Sequence, residues 1–116
     1  MVKTFKNRSI IKNKTIIGFD TSFYDFGTIE KNKPVAKYFV YTNVGEKPLQ
    51  INNVSSTCGC TITSLSDKII LPRKKDSILV KYDAKKIGKF SKTVFIYYNS
   101  NKSNPFQLKI KGFVKD

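Results

Sequence analysis

The sequence predicts an all-β protein built as a single antiparallel β-sandwich, and three observations support that fold class. Apolar and polar residues alternate along many short stretches, which is the pattern of strands with one face in the core and one in water. No helix-length window carries a sustained apolar stripe with a 3.6-residue period. The length of 116 residues suits one domain with one hydrophobic core.

Eight stretches of the chain have the pattern of strands. They cover residues 15–19, 23–29, 35–42, 49–55, 60–64, 77–82, 92–98 and 106–114. Segments rich in Gly, Pro, Asn and Asp separate several of them, at residues 30–34, 43–48, 71–76 and 99–105, and these residue types favour turns. Seven or eight short strands at nearly regular spacing are typical of an immunoglobulin-like sandwich.

The alternation within each strand also predicts its buried face. The expected core sets are Phe39 with Tyr41, Ile78 with Val80 and Tyr82, Val94 with Ile96 and Tyr98, and Phe106 with Leu108 and Ile110. Lys37 falls on the same face as Phe39, so we expect it near a strand entry, where its aliphatic stem can reach solvent. In the last strand Lys109 and Lys111 alternate with the core residues, which predicts that both face water.

Residues 1–14 differ from the rest of the chain in composition. They are strongly basic, and Ile10 and Ile11 form the one apolar pair after Phe5. This segment could be a flexible tether or a strand added to the sandwich edge; we expect the tether, with the sandwich spanning residues 15–116. The segment lacks the apolar stretch of roughly 7–15 residues found in a secretory signal, and no apolar run approaches the ~20 residues of a membrane span.

The formal charge of +14 raises the question of an anionic partner. Twenty of the 22 basic residues are Lys, and only Arg8 and Arg73 are Arg. Base-edge and bidentate phosphate recognition favour the guanidinium fork of Arg, so nucleic acid is not the expected partner. Solvated surface lysines are the simpler interpretation, and a basic face that binds an anionic polymer or surface is the alternative.

The absence of His argues against an enzyme. His is the usual base beside a Ser or Cys nucleophile, so a hydrolase of the triad type is excluded. The eight Asp and Glu residues mostly lie in turn-like segments beside Lys or Asn, which favours solvated or turn-forming carboxylates over a catalytic pair. Phosphate-binding, dinucleotide-binding and EF-hand motifs are also absent. We therefore expect no enzymatic activity and no cofactor.

The motif Cys58-Gly59-Cys60 holds both cysteines of the chain. A disulfide between them would close a very short ring and be labile, which would suit thiol–disulfide exchange. Zinc requires four ligands and finds neither His nor a further Cys, whereas Cu(I) prefers thiolates and accepts few ligands. The third interpretation is packing, with one Cys buried as a small hydrophobe. Cys58 and Cys60 are therefore the candidate metal or redox residues, with copper as the alternative cofactor.

Four motifs taken in order resemble the bacterial DUF1573 family. They are residues 23–29 (FYDFGTI), residues 39–45 (FVYTNVG) with 47–49 (KPL), residues 56–61 (STCGCT) and residues 88–94 (GKFSKTV). The resemblance runs from about residue 15 to residue 114. One departure is Arg73, which stands where the family's Pro-Gly-Glu-type turn has Gly, so the geometry of this turn is open.

The family resemblance implies an immunoglobulin-like sandwich similar to the ASPM/SPD-2/Hydin domains and to the major sperm protein and pilus-chaperone sandwiches. It also implies a protein that is exported or lipid-anchored in Bacteroidetes-type bacteria, whose leader would be missing from this sequence and whose molecular function is not settled. Residues 2–14 would then be a spacer after a membrane or lipoprotein anchor. The family's Cys-Gly-Cys motif corresponds to Cys58, Gly59 and Cys60.

The expected function is that of a non-enzymatic, extracytoplasmic binding or scaffold module, which docks a protein partner through a sheet edge or face. The first alternative is a Cu(I)-binding or thiol-redox protein acting through Cys58 and Cys60, and the second is an electrostatic binder of an anionic surface. Structural roles are expected for Asp25, Gly27, Asn43 and Gly45. Gly27 would end or bulge a strand, and Asn43 with Gly45 would shape a turn.

Overall fold

The computed structural model describes residues 2–4, 13–57, 60–64, 69–100 and 105–116, but not the side chains of residues 2–4 and 60–64. Nine strands lie in this part of the chain: β1 Val2–Thr4, β2 Ile17–Phe19, β3 Phe23–Glu30, β4 Val35–Asn43, β5 Ile51–Ser56, β6 Cys60–Ser64, β7 Lys75–Tyr82, β8 Gly88–Tyr98 and β9 Phe106–Lys115. They form a five-stranded sheet in the order β1-β5-β8-β9-β3 and a four-stranded sheet in the order β2-β4-β7-β6. The predicted all-β sandwich is confirmed. None of the described residues belongs to a helix long and apolar enough to cross a membrane.

All eight predicted strands are present, although their ends differ. β8, for example, begins at Gly88 rather than at residue 92. β3 and β9 pair in parallel, whereas the other strand pairs of the described residues are antiparallel. The predicted antiparallel arrangement therefore holds for every described pair but this one. Polar–apolar alternation indicates which face of a strand is buried, and it says nothing of the direction of the neighbouring strand.

The N-terminal segment contributes an edge strand to the five-stranded sheet. Val2, Lys3 and Thr4 pair with Ser55, Val54 and Asn53 of β5. The expected tether is therefore wrong for Val2–Thr4, and residues 5–12 lie outside the described part of the chain. An unpaired strand edge offers backbone donors and acceptors that a neighbouring segment can satisfy whatever its side chains, so a basic composition did not indicate this pairing.

The hydrophobic core lies between the sheets and is built from the predicted faces. Ile78 and Val80 of β7 and Leu108 of β9 are at most 1% exposed. Burial of each such side chain stabilises the fold by roughly 1.5–3 kcal/mol. Lys37 follows the inward face of β4, and its Nζ lies 4.7 Å from the centre of the Tyr24 ring on β3. As predicted, its stem leaves the core at the margin of the sandwich.

Asn43, the last residue of β4, organises the turn that follows it. Its side-chain oxygen accepts a hydrogen bond from the backbone N–H of Gly45 at 3.1 Å, and its amide donates to the carbonyl of Lys47 at 2.7 Å. A second bond from the amide reaches the carbonyl of Ile70 at 2.8 Å. Asn43 and Gly45 therefore shape this turn as the sequence predicts.

Arg73 lies in the turn that precedes β7 and adopts a left-handed conformation there. Its φ of 70° lies in the left-handed region, which Gly enters freely and other residues enter at a cost. Its backbone N–H donates to the carbonyl of Asn43 at 2.8 Å. Its guanidinium donates to the carbonyl of Gly45 at 3.1 Å and lies 3.2 Å from the Glu46 carboxylate. These bonds help to hold Arg73 in a conformation that Gly would adopt without steric cost.

Candidate functional site

The outer face of the five-stranded sheet carries exposed lysine and aromatic side chains from neighbouring strands. On β9 the core residues alternate with Lys109, Lys111, Phe113 and Lys115, which are all exposed. The strand register sets Phe23 of β3 beside Lys109, and Lys89 of β8 beside Phe113. We call this surface the basic aromatic face; its residues are Phe23, Lys89, Lys109, Lys111, Phe113 and Lys115.

A bulge in β3 shapes one side of this face. The pairing of β3 with β9 shifts register between Asp25 and Thr28, and Gly27 has a φ of 71°, a conformation that Gly adopts without steric cost. The carboxylate of Asp25 accepts a hydrogen bond from the Gly27 N–H at 2.8 Å. The sequence therefore correctly predicted a bulge at Gly27 and a structural role for Asp25.

An open groove of about 510 Å³ lies next to this bulge. Its lining includes Asp25, Thr28, Lys89, Ser91, Lys111 and Phe113. The groove therefore brings together residues of β3, β8 and β9, with an apolar ring at one side and two ammonium groups nearby.

The floor of the groove is held by close packing around Gly112. A Cβ atom at this position would lie 2.7 Å from the Phe90 ring and 2.9 Å from the Gly27 carbonyl, so any side chain would displace them. Phe90 in turn stacks on Tyr82 of the four-stranded sheet, with ring centres 4.0 Å apart and an interplanar angle of 15°. The groove is thus anchored to the core and presents a preformed surface.

The electrostatics of the face are positive and only partly compensated. Lys111 Nζ lies 3.9 Å from the Asp25 carboxylate and 5.5 Å from the centre of the Phe23 ring. Both members of the ion pair are about half exposed, at 53% and 49%, so water screens their attraction. Within the described part of the chain, Lys89 and Lys109 have no ion pair. The face therefore has positive charge available for a partner.

The last residue of β3, Glu30, is a further acidic group on this sheet. Glu30 forms an ion pair with Lys33, and hydrogen bonding and the positive charge of Lys33 lower the pKa of the Glu30 carboxyl below its ordinary value. The positive charge of Lys115, which lies opposite Glu30 in the strand register, also lowers this pKa. Glu30 therefore partly compensates Lys115, whereas Lys89 and Lys109 have no ion pair among the described residues.

The outer face of the four-stranded sheet can be compared with the basic aromatic face in its number of outward lysines. Tyr38 of β4 is exposed there, beside Leu79 of β7. Its described strand residues include two outward lysines, Lys75 and Lys81, against the four of the basic aromatic face. Among the strand side chains that the structure describes, outward lysines are thus more numerous on the five-stranded sheet.

The Cys-Gly-Cys motif lies where the chain passes between sheets, because β5 ends at Ser56 in one sheet and β6 begins at Cys60 in the other. The backbone of Cys60 is paired opposite Tyr82. Cys58 and Gly59 lie outside the described residues, and the side chain of Cys60 is not described. Copper binding or redox chemistry at Cys58 and Cys60 therefore stays a prediction. In the part of the chain that is described, no group of three or more His, Cys, Asp or Glu side chains could hold a metal.

Sequence reasoning found part of the basic aromatic face. Alternation in the last strand placed Lys109 and Lys111 in water, and both are exposed. It did not connect them with Lys89 or Phe23, since these residues meet β9 only through the pairing of strands distant in the chain. Gly27 was the signal that the sequence offered for this edge of the sheet, because a Gly inside a strand often marks a bulge.

These observations define the class of protein, a small immunoglobulin-like sandwich domain that presents a basic strand face. The model of the family described as "Protein of unknown function (DUF1573)" matches residues 17–114. The chain belongs to the DUF1573 family, as its motifs predicted. No curated protein matches it.

Solved structures share this fold at low sequence identity. A protein of unknown function from Porphyromonas gingivalis W83 matches with a TM-score of 0.75 and 16% identity, over 88% of this chain and 48% of that one. PapD-like domain 7 of human CEP192 matches with a TM-score of 0.67 and 9% identity, over 97% and 95% of the two chains. The VesB protease of Vibrio cholerae matches with a TM-score of 0.64 and 13% identity, over 86% and 32%. The chain thus spans about half of the Porphyromonas protein, and the likenesses establish the predicted immunoglobulin-like fold.

Proposed function

We propose that this chain is a non-enzymatic binding module that docks a protein partner on the basic aromatic face, over the groove beside Phe113. The observation that carries the proposal is the meeting, on one exposed surface, of an apolar anchor, a groove with a packed floor and uncompensated lysines. Aromatic anchors in pockets, surrounded by a polar rim, are the usual composition of protein interfaces. The sandwich supplies the rigid frame that such a surface needs.

The chemistry of the groove supports binding rather than catalysis. Asp25 is the single carboxylate among the described residues that line it, and the chain contains no His. A pair of groups able to act as general acid and general base is therefore not present in the described lining.

The docking mode follows from the structure of the β3 edge. The bulge at Gly27 interrupts the edge, and the Gly27 N–H already donates a hydrogen bond to the Asp25 carboxylate. Bulges and charged side chains at an edge hinder the addition of a further strand. A partner therefore uses the face of the sheet and contacts side chains, rather than extending the sheet at β3.

The test is site-specific photocrosslinking in the cells that produce the protein. Phe113 is replaced by p-benzoylphenylalanine, and Tyr38, on the outer face of the other sheet, receives the same replacement as the matched control. The two side chains are similarly exposed, at 43% and 56%, so random collisions label them alike. We expect a discrete protein adduct from position 113 and none from position 38, read by mass spectrometry.

Equal adducts from both positions, or no protein adduct from position 113, would contradict the proposal. Adducts to lipid or polysaccharide in place of protein would favour the electrostatic binder of an anionic surface.

We further propose that the module lies outside the cytoplasm, a location that the family resemblance suggests. Proteinase added to spheroplasts should then degrade the protein while a cytoplasmic marker protein stays intact. Protection of both proteins to the same degree would contradict an extracytoplasmic location.

A further inference from the structure

We propose that the partner presents an extended acidic segment, which lies along β9 with carboxylates over Lys109 and Lys111 and an apolar side chain beside Phe113. This inference rests on the proposed function and adds the chemistry of the partner. It is carried by three features of the basic aromatic face: the spacing of its side chains, the lysines without an ion pair, and the exposed ring of Phe113 next to a groove.

The spacing of the outward residues on β9 matches that of an extended peptide. Lys109, Lys111, Phe113 and Lys115 share the outward face. Alternate residues of a strand point the same way, and each residue advances the strand by about 3.3 Å, so these side chains repeat every ~6.6 Å. An extended segment that turns two acidic side chains and then an apolar one toward β9, at alternate positions of its chain, has the same repeat. Its carboxylates can therefore meet consecutive lysines without bending either chain.

The charges of the face select for acidic groups. Lys109 and Lys89 have no ion pair among the described residues, and the contact of Lys111 with Asp25 is long, at 3.9 Å, and half exposed. A carboxylate from the partner can thus approach Lys111 without breaking a buried bond. Charge complementarity of this kind speeds encounter and rejects basic partners.

The same face is less suited to a densely charged polyanion. Asp25 lines the groove beside Lys111, so a chain with a negative charge on every unit would place one against this carboxylate. A protein segment avoids that repulsion because it can present an apolar side chain at the groove and keep its carboxylates over β9. The cations are Lys throughout, without the Arg forks that suit phosphate.

The experiment measures binding of the fluorescein-labelled octapeptide Glu-Ser-Glu-Ser-Val-Ser-Glu-Ser to the full chain, by fluorescence anisotropy. Its Glu and Val residues occupy alternate positions, so they share one face of the extended peptide. A peptide with Lys in place of Glu is the probe control. The double variant Lys109→Gln/Lys111→Gln removes the proposed contacts. Lys75→Gln/Lys81→Gln removes the same charge from the outer face of the four-stranded sheet and is the matched control. Thermal unfolding establishes that both variants are folded.

We expect the Glu peptide to bind and the Lys peptide not to bind. The Lys109→Gln/Lys111→Gln variant should weaken binding about fivefold, as the loss of two exposed ion pairs implies, and the control variant should stay within about twofold of the parent. Equal losses in the two variants would show diffuse attraction and overturn the inference.

Two further outcomes show whether the acidic segment alone is wrong or the protein partner is wrong as well. If the Glu peptide does not bind while Phe113 still crosslinks to a protein, the acidic segment is wrong and the docking face stands. If oligothymidylate or heparin binds more tightly than the peptide, with the same loss in Lys109→Gln/Lys111→Gln, the occupant is an anionic polymer. That result would overturn both the acidic segment and the protein partner.

Discussion

Two buried asparagines close one end of the sandwich, and they show how much a single side chain can organise. Asn43 accepts from the hydroxyl of Thr15 at 2.8 Å, besides its bonds to the following turn. Asn99 accepts from the backbone N–H of Gln50 and donates to the carbonyls of Asn13 and Pro48, each at 2.7 Å. Thr15 joins the two, because its own N–H donates to the Asn99 carbonyl at 2.9 Å. Both amides are 2% exposed or less, and every polar atom of each has a partner.

Replacement of Asn43 by Ala should destabilise the fold by about 3 kcal/mol, because it leaves several buried donors and acceptors without partners. The measurement is urea unfolding followed by circular dichroism. The matched control is Asn52→Ala, at a half-buried position of β5, which should change the free energy of unfolding by less than about 1 kcal/mol. Similar losses in both variants would mean that the hydrogen bonds of Asn43 contribute no more to the free energy of unfolding than those of a half-buried strand residue.

Tyr41 predicts a pH dependence of stability. Burial and the negative charge of Asp76 raise the pKa of Tyr41 well above its ordinary value of 10.0. In the unfolded chain this phenol ionises near pH 10, whereas in the folded chain it stays neutral. The stability that this difference provides is therefore complete below about pH 10 and is lost as the pH rises above it, by up to ~1.4 kcal/mol per pH unit.

The free energy of unfolding between pH 8 and 11 tests this prediction in three proteins. The parent and the exposed-site control Tyr38→Phe should lose stability more steeply above pH 10 than Tyr41→Phe. Parallel curves for the parent and Tyr41→Phe would contradict a raised pKa for Tyr41.

At the scale of elements, the turn before β7 and the edge of β3 show two ways of holding a left-handed residue. Gly27 adopts its φ of 71° freely, and Arg73 adopts a φ of 70° against a steric cost. The Gly27 bulge could be predicted from the residue type. That Arg73 would adopt the same conformation could not, because the bonds that hold it come from Asn43, Gly45 and Glu46, far away in the chain.

A pair of variants separates the backbone strain at Arg73 from its side-chain bonds. Arg73→Ala removes the guanidinium and keeps the strain, whereas Arg73→Gly removes both. Arg73→Gly should therefore be more stable than Arg73→Ala by about 1 kcal/mol, measured by chemical unfolding. If the two variants are equally stable, the turn does not strain a side-chain-bearing residue at this position.

At the scale of the whole molecule, the proposed binding face and Cys60 belong to different sheets. The basic aromatic face belongs to β3, β8 and β9, on the outside of the five-stranded sheet, whereas β6, with Cys60 at its start, belongs to the other sheet. The proposed docking beside Phe113 therefore uses the sheet that does not contain Cys60.

The double replacement Cys58→Ser/Cys60→Ser should leave both the free energy of unfolding and the crosslink from position 113 nearly unchanged. Chemical unfolding and the photocrosslinking assay give the two measurements. A loss of several kcal/mol would assign the cysteines to packing or to a structural bond. A lost crosslink in a stable protein would bring the thiols into the binding function.

Local patterns in the sequence were sufficient for the fold class, the eight strands, the buried faces, the family, the turn at Asn43 and the bulge at Gly27. Each of these depends on residues close together in the chain, since alternation and turn chemistry act over a few residues. The same local character explains why Lys109 and Lys111 were correctly placed in water.

Only the tertiary structure decided which distant segments meet. It paired β3 with β9 in parallel, added Val2–Thr4 to the edge of β5, and gathered Asp25, Lys89 and Phe113 around one groove. It also buried Asn99, which the sequence had assigned only to a turn segment. Strand order and direction follow from how the whole core closes, and the period of a single strand carries no record of its neighbours.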